Sequence, residues 1–178
     1  MDRISAEEMD ARIAAAHPDI QVMVAYWRGK ARGRRMPARK DIDPSELIPY
    51  LSRIGLVDVV DDERRFVYRL VGTADVVMRG YDPTGKSVAE GFFGSDVEEA
   101  LAYYDYAARY GEPFCYRGPY KAADGTLENE DVIFLPLSDD GETANMILFF
   151  YHSYEFNPRV DYASVLLNTR QNKAADRA

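Results

Sequence analysis

The sequence predicts an α+β fold in which one antiparallel sheet carries helices on one face. Two apolar segments rich in branched residues lie ahead of a long amphipathic helix, and three more strand-like segments follow it. Asp-Gly pairs stand between those last three. Strand groups separated by helices close into one sheet when the helices cover one face, and a pocket can open beneath that cover. A length of 178 residues suits one compact domain with extensions.

Ser5-Ala6-Glu7-Glu8 has the form of a capping box and predicts a short helix to about His17. Pro18-Asp19 interrupts it. Ile20, Met23, Val24, Trp27 and Ala31 then recur at helical spacing, which predicts a second helix ending near Gly33. Its stripe must be buried somewhere, and a second copy of the chain is one available place, so these five residues are the candidate interface, although the Trp27 ring is expected to pack on the domain. Asp43-Pro44-Ser45-Glu46 starts a further helix, limited by Pro49 to a turn or two.

Ile54 to Val60 and Phe66 to Val71 read as two strands joined by a polar turn at Asp61 to Arg64. Val76, Val77 and Met78 suggest a helical turn closed by Gly80, after which Gly85, Gly91 and Gly94 keep the chain irregular. Ser95-Asp96-Val97-Glu98 is another capping box. It opens the best helix, with Val97, Leu101, Tyr104 and Ala108 as its stripe, Tyr103, Tyr106 and Tyr110 as a second, partly buried one, and Gly111 as its cap. Phe114 to Lys121, Leu127 to Leu137 and Ala144 to His152 are the last three strands. A short helix from Asp161 to about Thr169 and a frayed tail complete the chain. The expected organisation is a helical extension with a basic connector over 1–50, a sheet domain over 51–156 and a short helix and tail over 157–178.

Composition narrows the chemistry. One cysteine, Cys115, allows no internal disulfide and no cysteine-rich zinc site, and His17 and His152 do not suggest a metal. No apolar run is long enough to span a membrane and the N-terminus lacks a signal peptide's apolar core, so the expected location is the cytoplasm. A net charge of -8 disfavours nucleic acid and anionic membrane as partners. Seven basic residues nevertheless fall between Arg28 and Lys40, and the expected partner for them is acidic and internal or on a dimer mate. No phosphate-binding glycine loop, dinucleotide fingerprint or serine-hydrolase elbow is present.

Gly72-Thr73-Ala74 through Met78-Arg79-Gly80-Tyr81, followed by Gly85-Lys86-Ser87-Val88, resembles a PAS domain, and the order of elements from about Ile54 to Tyr154 follows that family. Tyr26-Trp27-Arg28, Arg34-Arg35-Met36-Pro37-Ala38-Arg39 and Asp43-Pro44 are similar to a bacterial PAS-like group of small proteins without an attached enzyme. The resemblance implies a five-stranded antiparallel sheet, a cavity under its helices, and sensing of a small molecule or contact with a partner. Flavin-binding relatives use a cysteine on a helix and haem-binding relatives a helical histidine. Cys115, on a predicted strand, and the two histidines match neither pattern, so no cofactor is expected.

Thirteen tyrosines suit a selective pocket, because each phenol joins an apolar ring to one hydrogen-bonding group. The expected ligand-binding residues are Tyr68, Leu70, Met78, Tyr81, Leu101, Tyr104, Phe114 and Tyr116. Arg69 alternates with Phe66, Tyr68 and Leu70, so it belongs on the outer sheet face or in a salt bridge. Asn129 and Asp131 share parity with Ile133 and Leu135, at one end of a possible inner face. The leading expectation is a non-catalytic sensory module that binds a small, partly apolar or aromatic ligand and signals through a homodimer or a protein partner. The alternatives are a proton-transfer enzyme with Asp131 as base and a tyrosine as donor, and an adaptor working through residues 28–40.

Overall fold

A computed structural model describes residues 1–92, 96–121 and 127–154. The predicted helix at 161–169, the capping role of Ser95 and the Asp124-Gly125 turn lie outside the described residues. Strands β1 (Ile54–Val59), β2 (Phe66–Val71), β3 (Phe114–Lys121), β4 (Leu127–Leu137) and β5 (Met146–Ser153) form one sheet in the order β2-β1-β5-β4-β3. Every neighbouring pair is antiparallel. The turn into β5 is fixed by Asp140, whose carboxylate accepts from the N–H groups of Thr143 and Glu142 and from the Ser138 hydroxyl, at 2.7–2.8 Å. Those donors pull its carboxyl down to about 2.

Register sorts the sheet residues into two faces. One row runs Phe114, Phe134, Phe149, Gly55 and the next runs Cys115, Ile133, Phe150, Ile54. Successive residues of a strand point to opposite sides, so the two rows lie on opposite faces. Helices α3 (Thr73–Arg79), α4 (Val88–Gly91) and α5 (Val97–Tyr110) cover the first, or inner, face. There Tyr104 of α5 meets Phe134 edge-on, with ring centroids 4.8 Å apart.

The N-terminal segment covers the outer face. Helices α1 (Ala6–Ala15) and α2 (Pro18–Ala31) and a 3-10 run over Pro44–Arg53 pack there. Met9 sulfur accepts from the Cys115 N–H, and Tyr50 meets Phe150 edge-on at 5.6 Å. The expected interface stripe is therefore reassigned. Ile20, Met23, Val24, Trp27 and Ala31 are all buried within their own chain, and the Trp27 indole N–H donates to the Pro136 carbonyl at 2.8 Å. The stripe found its partner in the outer sheet face, which leaves none of it for a second copy.

Local signals acted much as their chemistry dictates. Ser5 caps α1 by accepting from the Glu8 N–H. The first helix ends at Ala15, interrupted as expected before Pro18-Asp19, and Pro18 itself begins α2, because a first helical position needs no N–H, with the His17 ring accepting from the Asp19 N–H as its cap. Pro49 does not end its segment. The 3-10 run continues for ten residues, and its threefold repeat brings Leu47 and Tyr50 to the same side. Helix α5 is capped by Asp96, which accepts from the Glu99 N–H at 2.9 Å. Its buried residues are Ala100, Tyr104, Tyr106 and Ala107, a different stripe from the predicted one. Tyr106 is driven inside by the N-terminal segment, whose Ile4 N–H donates to the Tyr106 hydroxyl.

The basic segment is largely occupied by its own chain. Arg28 pairs with Asp10, Lys30 with Glu46 and Arg34 with Asp41, while Arg35 and Arg39 donate to the carbonyls of Tyr110 and Ile42. Five of the seven charges thus meet internal acceptors, as the internal reading of this run expects, which leaves the adaptor reading Arg32 and Lys40. No helix among the described residues is long and apolar enough to cross a membrane.

Candidate ligand-binding site

The site begins with a close approach between strands. A Cβ on Gly55 would lie 2.0 Å from the Phe149 ring, so the glycine is what lets this ring lie flat across β1 and form part of a cavity floor. Phe134 and Val132 extend that floor, and α5 faces it with Ala100, Tyr103 and Tyr104. Between them lies a cavity of about 120 Å³. Exposed Asp96 and Glu99 and half-buried Glu130 and Tyr116 mark its open side.

A buried ion pair stands in the wall. Asp75 and Arg79 are one turn apart on α3, which directs both to the same side. The Arg79 Nε donates to Asp75 Oδ1 at 2.8 Å and its Nη1 to the Gly91 carbonyl at 3.0 Å, while the guanidinium lies 5.1 Å over the Tyr68 ring. Asp75 is 3% exposed, and its Oδ2 has no hydrogen-bond partner among the described residues. Burial alone would make Arg79 easier to deprotonate, but Asp75 and Tyr68 reverse this and raise its pKa, so it remains a cation. Burial raises the Tyr68 phenol, and burial with the Tyr68 hydroxyl nearby holds Tyr104 well above the usual range. Both stay neutral. Tyr103 donates to Glu99 at 2.5 Å, and burial followed by that carboxylate raises its pKa too.

Of the residues expected on the wall, Tyr68, Met78, Tyr104 and Tyr116 are there. Leu70 is not. A bulge in the β1–β2 pairing sets Leu70 opposite Leu56 and Tyr68 opposite Val57, so Leu70 turns to the outer face, 46% exposed, beside a second hollow of about 390 Å³. Arg69 is exposed and pairs with Asp58 at 3.1 Å, as alternation expected. Tyr81 donates to the Gly91 carbonyl at 2.5 Å and ties down the end of α4. Leu101 is half-buried beside the lining residue Ala100, and Phe114 stacks on Tyr103 at 4.9 Å outside the cavity. Asp75, Arg79 and Glu99 escaped the sequence reading, although the i,i+4 spacing of Asp75 and Arg79 was a signal for a pair.

Asp131 faces the other way. It is fully buried on the outer face and accepts from Arg117 Nε at 2.6 Å, the His17 N–H at 2.7 Å and the Tyr154 hydroxyl at 2.7 Å. Burial pushes its pKa up, but these donors outweigh burial and the net direction is down. A general base here needed an enclosed cavity and a raised pKa. The face that Asn129 and Asp131 share with Ile133 and Leu135 is packed under α2, so the enzyme reading loses its base.

One cluster could suggest a metal, since His17, Asp19 and His152 bring ligand atoms within 4.8 Å of one another. The two imidazoles stack at 3.4 Å. The space already holds a cation: Arg53 donates to Asp19 Oδ2 at 3.0 Å and lies 3.2 Å from His152 Nδ1, which must accept because a guanidinium only donates. His17 Nδ1 is also engaged as a helix cap. These residues do not fit a metal ion.

The PAS domain family matches residues 15–151, which includes α2 as well as the sheet, and the chain belongs to that family. No curated protein matches its sequence. Among solved structures, VqmA bound to DPO superposes with a TM-score of 0.50 at 16% identity, covering 64% of this chain and 58% of that one. The Vibrio cholerae VqmA dimer in the absence of target DNA gives 0.50 at 15%, covering 62% of this chain and 49% of that one. The dark structure of the photoreceptor Aureochrome1 LOV gives 0.49 at 15%, covering 73% and 92%. These likenesses concern the fold. Flavin does not fit the described cavity, which is well below the roughly 300–1,000 Å³ of pockets that enclose drug-sized ligands. Cys115 lies on the outer face with its thiol pushed up to about 12 by burial, and neither histidine faces the cavity.

Proposed function

We propose that this PAS-domain protein is a non-catalytic sensory or regulatory module that takes a small, partly apolar molecule between α5 and the inner sheet face. It passes the event to a dimer mate or protein partner in the cytoplasm. The observation that carries this reading is the buried Asp75–Arg79 pair standing beside neutral tyrosines in the wall of a cavity rich in aromatic rings. A core built for stability alone gains little from such a pair, because its desolvation offsets most of its attraction. A site for a ligand gains orientation from it. Any signal must come from a difference in ligand affinity between two arrangements of the chain. With the α2 stripe buried, the partner contact is sought on other surfaces.

Native mass spectrometry of freshly purified full-length chain tests this. The expected result is a small-molecule mass excess that disappears in Ala100→Phe, which fills the cavity from α5. Excess retained by the filled variant, or absent from both proteins, overturns the proposal. The same spectra report whether the chain is a dimer.

A further inference from the structure

We infer that the cavity selects a small organic cation, a protonated amine or alkylammonium with a body of about four to six carbons. This rests on the ligand-binding reading above and adds the ligand's charge. Apart from Glu130, which has a partner of its own, the described residues around the cavity carry three carboxylates, Asp75, Asp96 and Glu99, against the single guanidinium of Arg79. Arg79 is already engaged by Asp75, the Gly91 carbonyl and the Tyr68 ring. An anionic ligand would have to displace Asp75 from it and pass a negative rim to do so.

Asp75 points to the same chemistry independently of the rim. Its Oδ2 is a buried carboxylate oxygen on the cavity wall with no donor among the described residues, and an unmet acceptor of that kind is costly. A ligand that brings N–H groups supplies the missing donor, whereas a carboxylate ligand adds more acceptors. The walls agree with this. Tyr103, Tyr104, Phe134 and Phe149 present aromatic rings, whose faces attract cations most strongly where water is excluded. Tyr104 stays a neutral phenol, so its ring keeps that quadrupole without adding a buried charge. Size sets the upper limit, since an apolar cavity of about 150 Å³ accommodates benzene, and this one offers about 120 Å³.

The test uses three compounds that share one apolar body and differ in charge: tert-butylammonium, tert-butanol and pivalate. Each is titrated into the full-length chain at pH 7 and low salt, following the amide signals of Ala100 and Tyr104 by NMR. The expected result is that tert-butylammonium binds about tenfold more tightly than tert-butanol, with pivalate weakest. Glu99→Gln should reduce that preference severalfold. Tert-butanol or pivalate binding as tightly as the ammonium overturns the cation inference and leaves the ligand reading intact. If none of the three moves the cavity signals, the inference and the ligand reading fall together.

Discussion

The two faces of the sheet are built from alternate residues of the same strands, yet they are finished differently. On the outer face Asp131 has three kinds of donor around it, Trp27 has its carbonyl, and Ile20, Met23, Ile133 and Phe150 are sealed. On the inner face, aromatic rings leave space between them and one oxygen of Asp75 goes without a donor among the described residues. Under α1 and α2, away from the outer hollow beside Leu70, close packing with satisfied polar groups serves stability. Space beside an unmet polar atom is destabilising on its own terms, so its presence under α5 marks the face on which something else is expected to bind.

Substitutions on each face can break this comparison. The largest effect is expected for Trp27→Ala, which removes a buried indole and leaves the Pro136 carbonyl short of a donor. Urea unfolding should show a loss of about 3–5 kcal/mol, while probe binding in the cavity of the folded fraction is retained. Asp75→Ala comes next, at roughly 3 kcal/mol, because Arg79 stays buried without its carboxylate. Combining Asp75→Leu with Arg79→Met should recover most of that stability and abolish binding, which separates the pair's role in function from its role in folding. A fully stable Asp75→Ala variant would show that the pair is not desolvated.

Gly55→Ala should reverse the outer-face pattern. The added methyl displaces the Phe149 ring into the cavity, with a modest stability loss of about 1–3 kcal/mol and complete loss of probe binding. Unchanged binding would mean that Phe149 can move elsewhere. Acid is the next, smaller lever, and it acts on the outer face. Burial, then His17 and Arg53, lower the folded pKa of His152 below its usual 6.5. The unfolded chain therefore takes up that proton first. The contribution of His152 is fully present above about pH 6.5 and is lost as pH falls from there through the lowered folded value. Asp131 adds a second loss below its usual 3.8. Thermal midpoints across pH 8 to 5 should fall on the acid side, and the His152→Gln variant should flatten that slope. The smallest effect is expected for Arg28→Ala, whose ion pair with Asp10 is exposed; its midpoint should match the parent within error.

Much of the fold was legible because its signals are local. Branched residues marked Ile54–Val59 and Phe66–Val71, Gly80 and Gly111 ended their helices at positive φ, and Ser5 and Asp43 capped the starts they were expected to cap. The site was legible only in part. Tyr68, Tyr104, Met78 and Tyr116 reach the cavity, but the parity that carried Tyr68 inward failed two residues later at Leu70, because a bulge is a property of the pairing and not of either strand alone. The inner and outer sides of β4 were exchanged for a related reason: alternation separates two faces without saying which layer will lie on each.

The run through Pro49 and the short helix α4 aside, the sequence by itself determined most of the helices and strands, and that the α2 stripe had to be covered. Those follow from backbone hydrogen bonding and from apolar spacing within a few residues. What covers the stripe, which sheet face stays open, and that Asp75, Arg79 and Tyr68 meet in one cavity were decided only when distant strands took up their register. Those contacts join residues far apart in the chain, and no local periodicity encodes how two surfaces with similar apolar patterns choose each other.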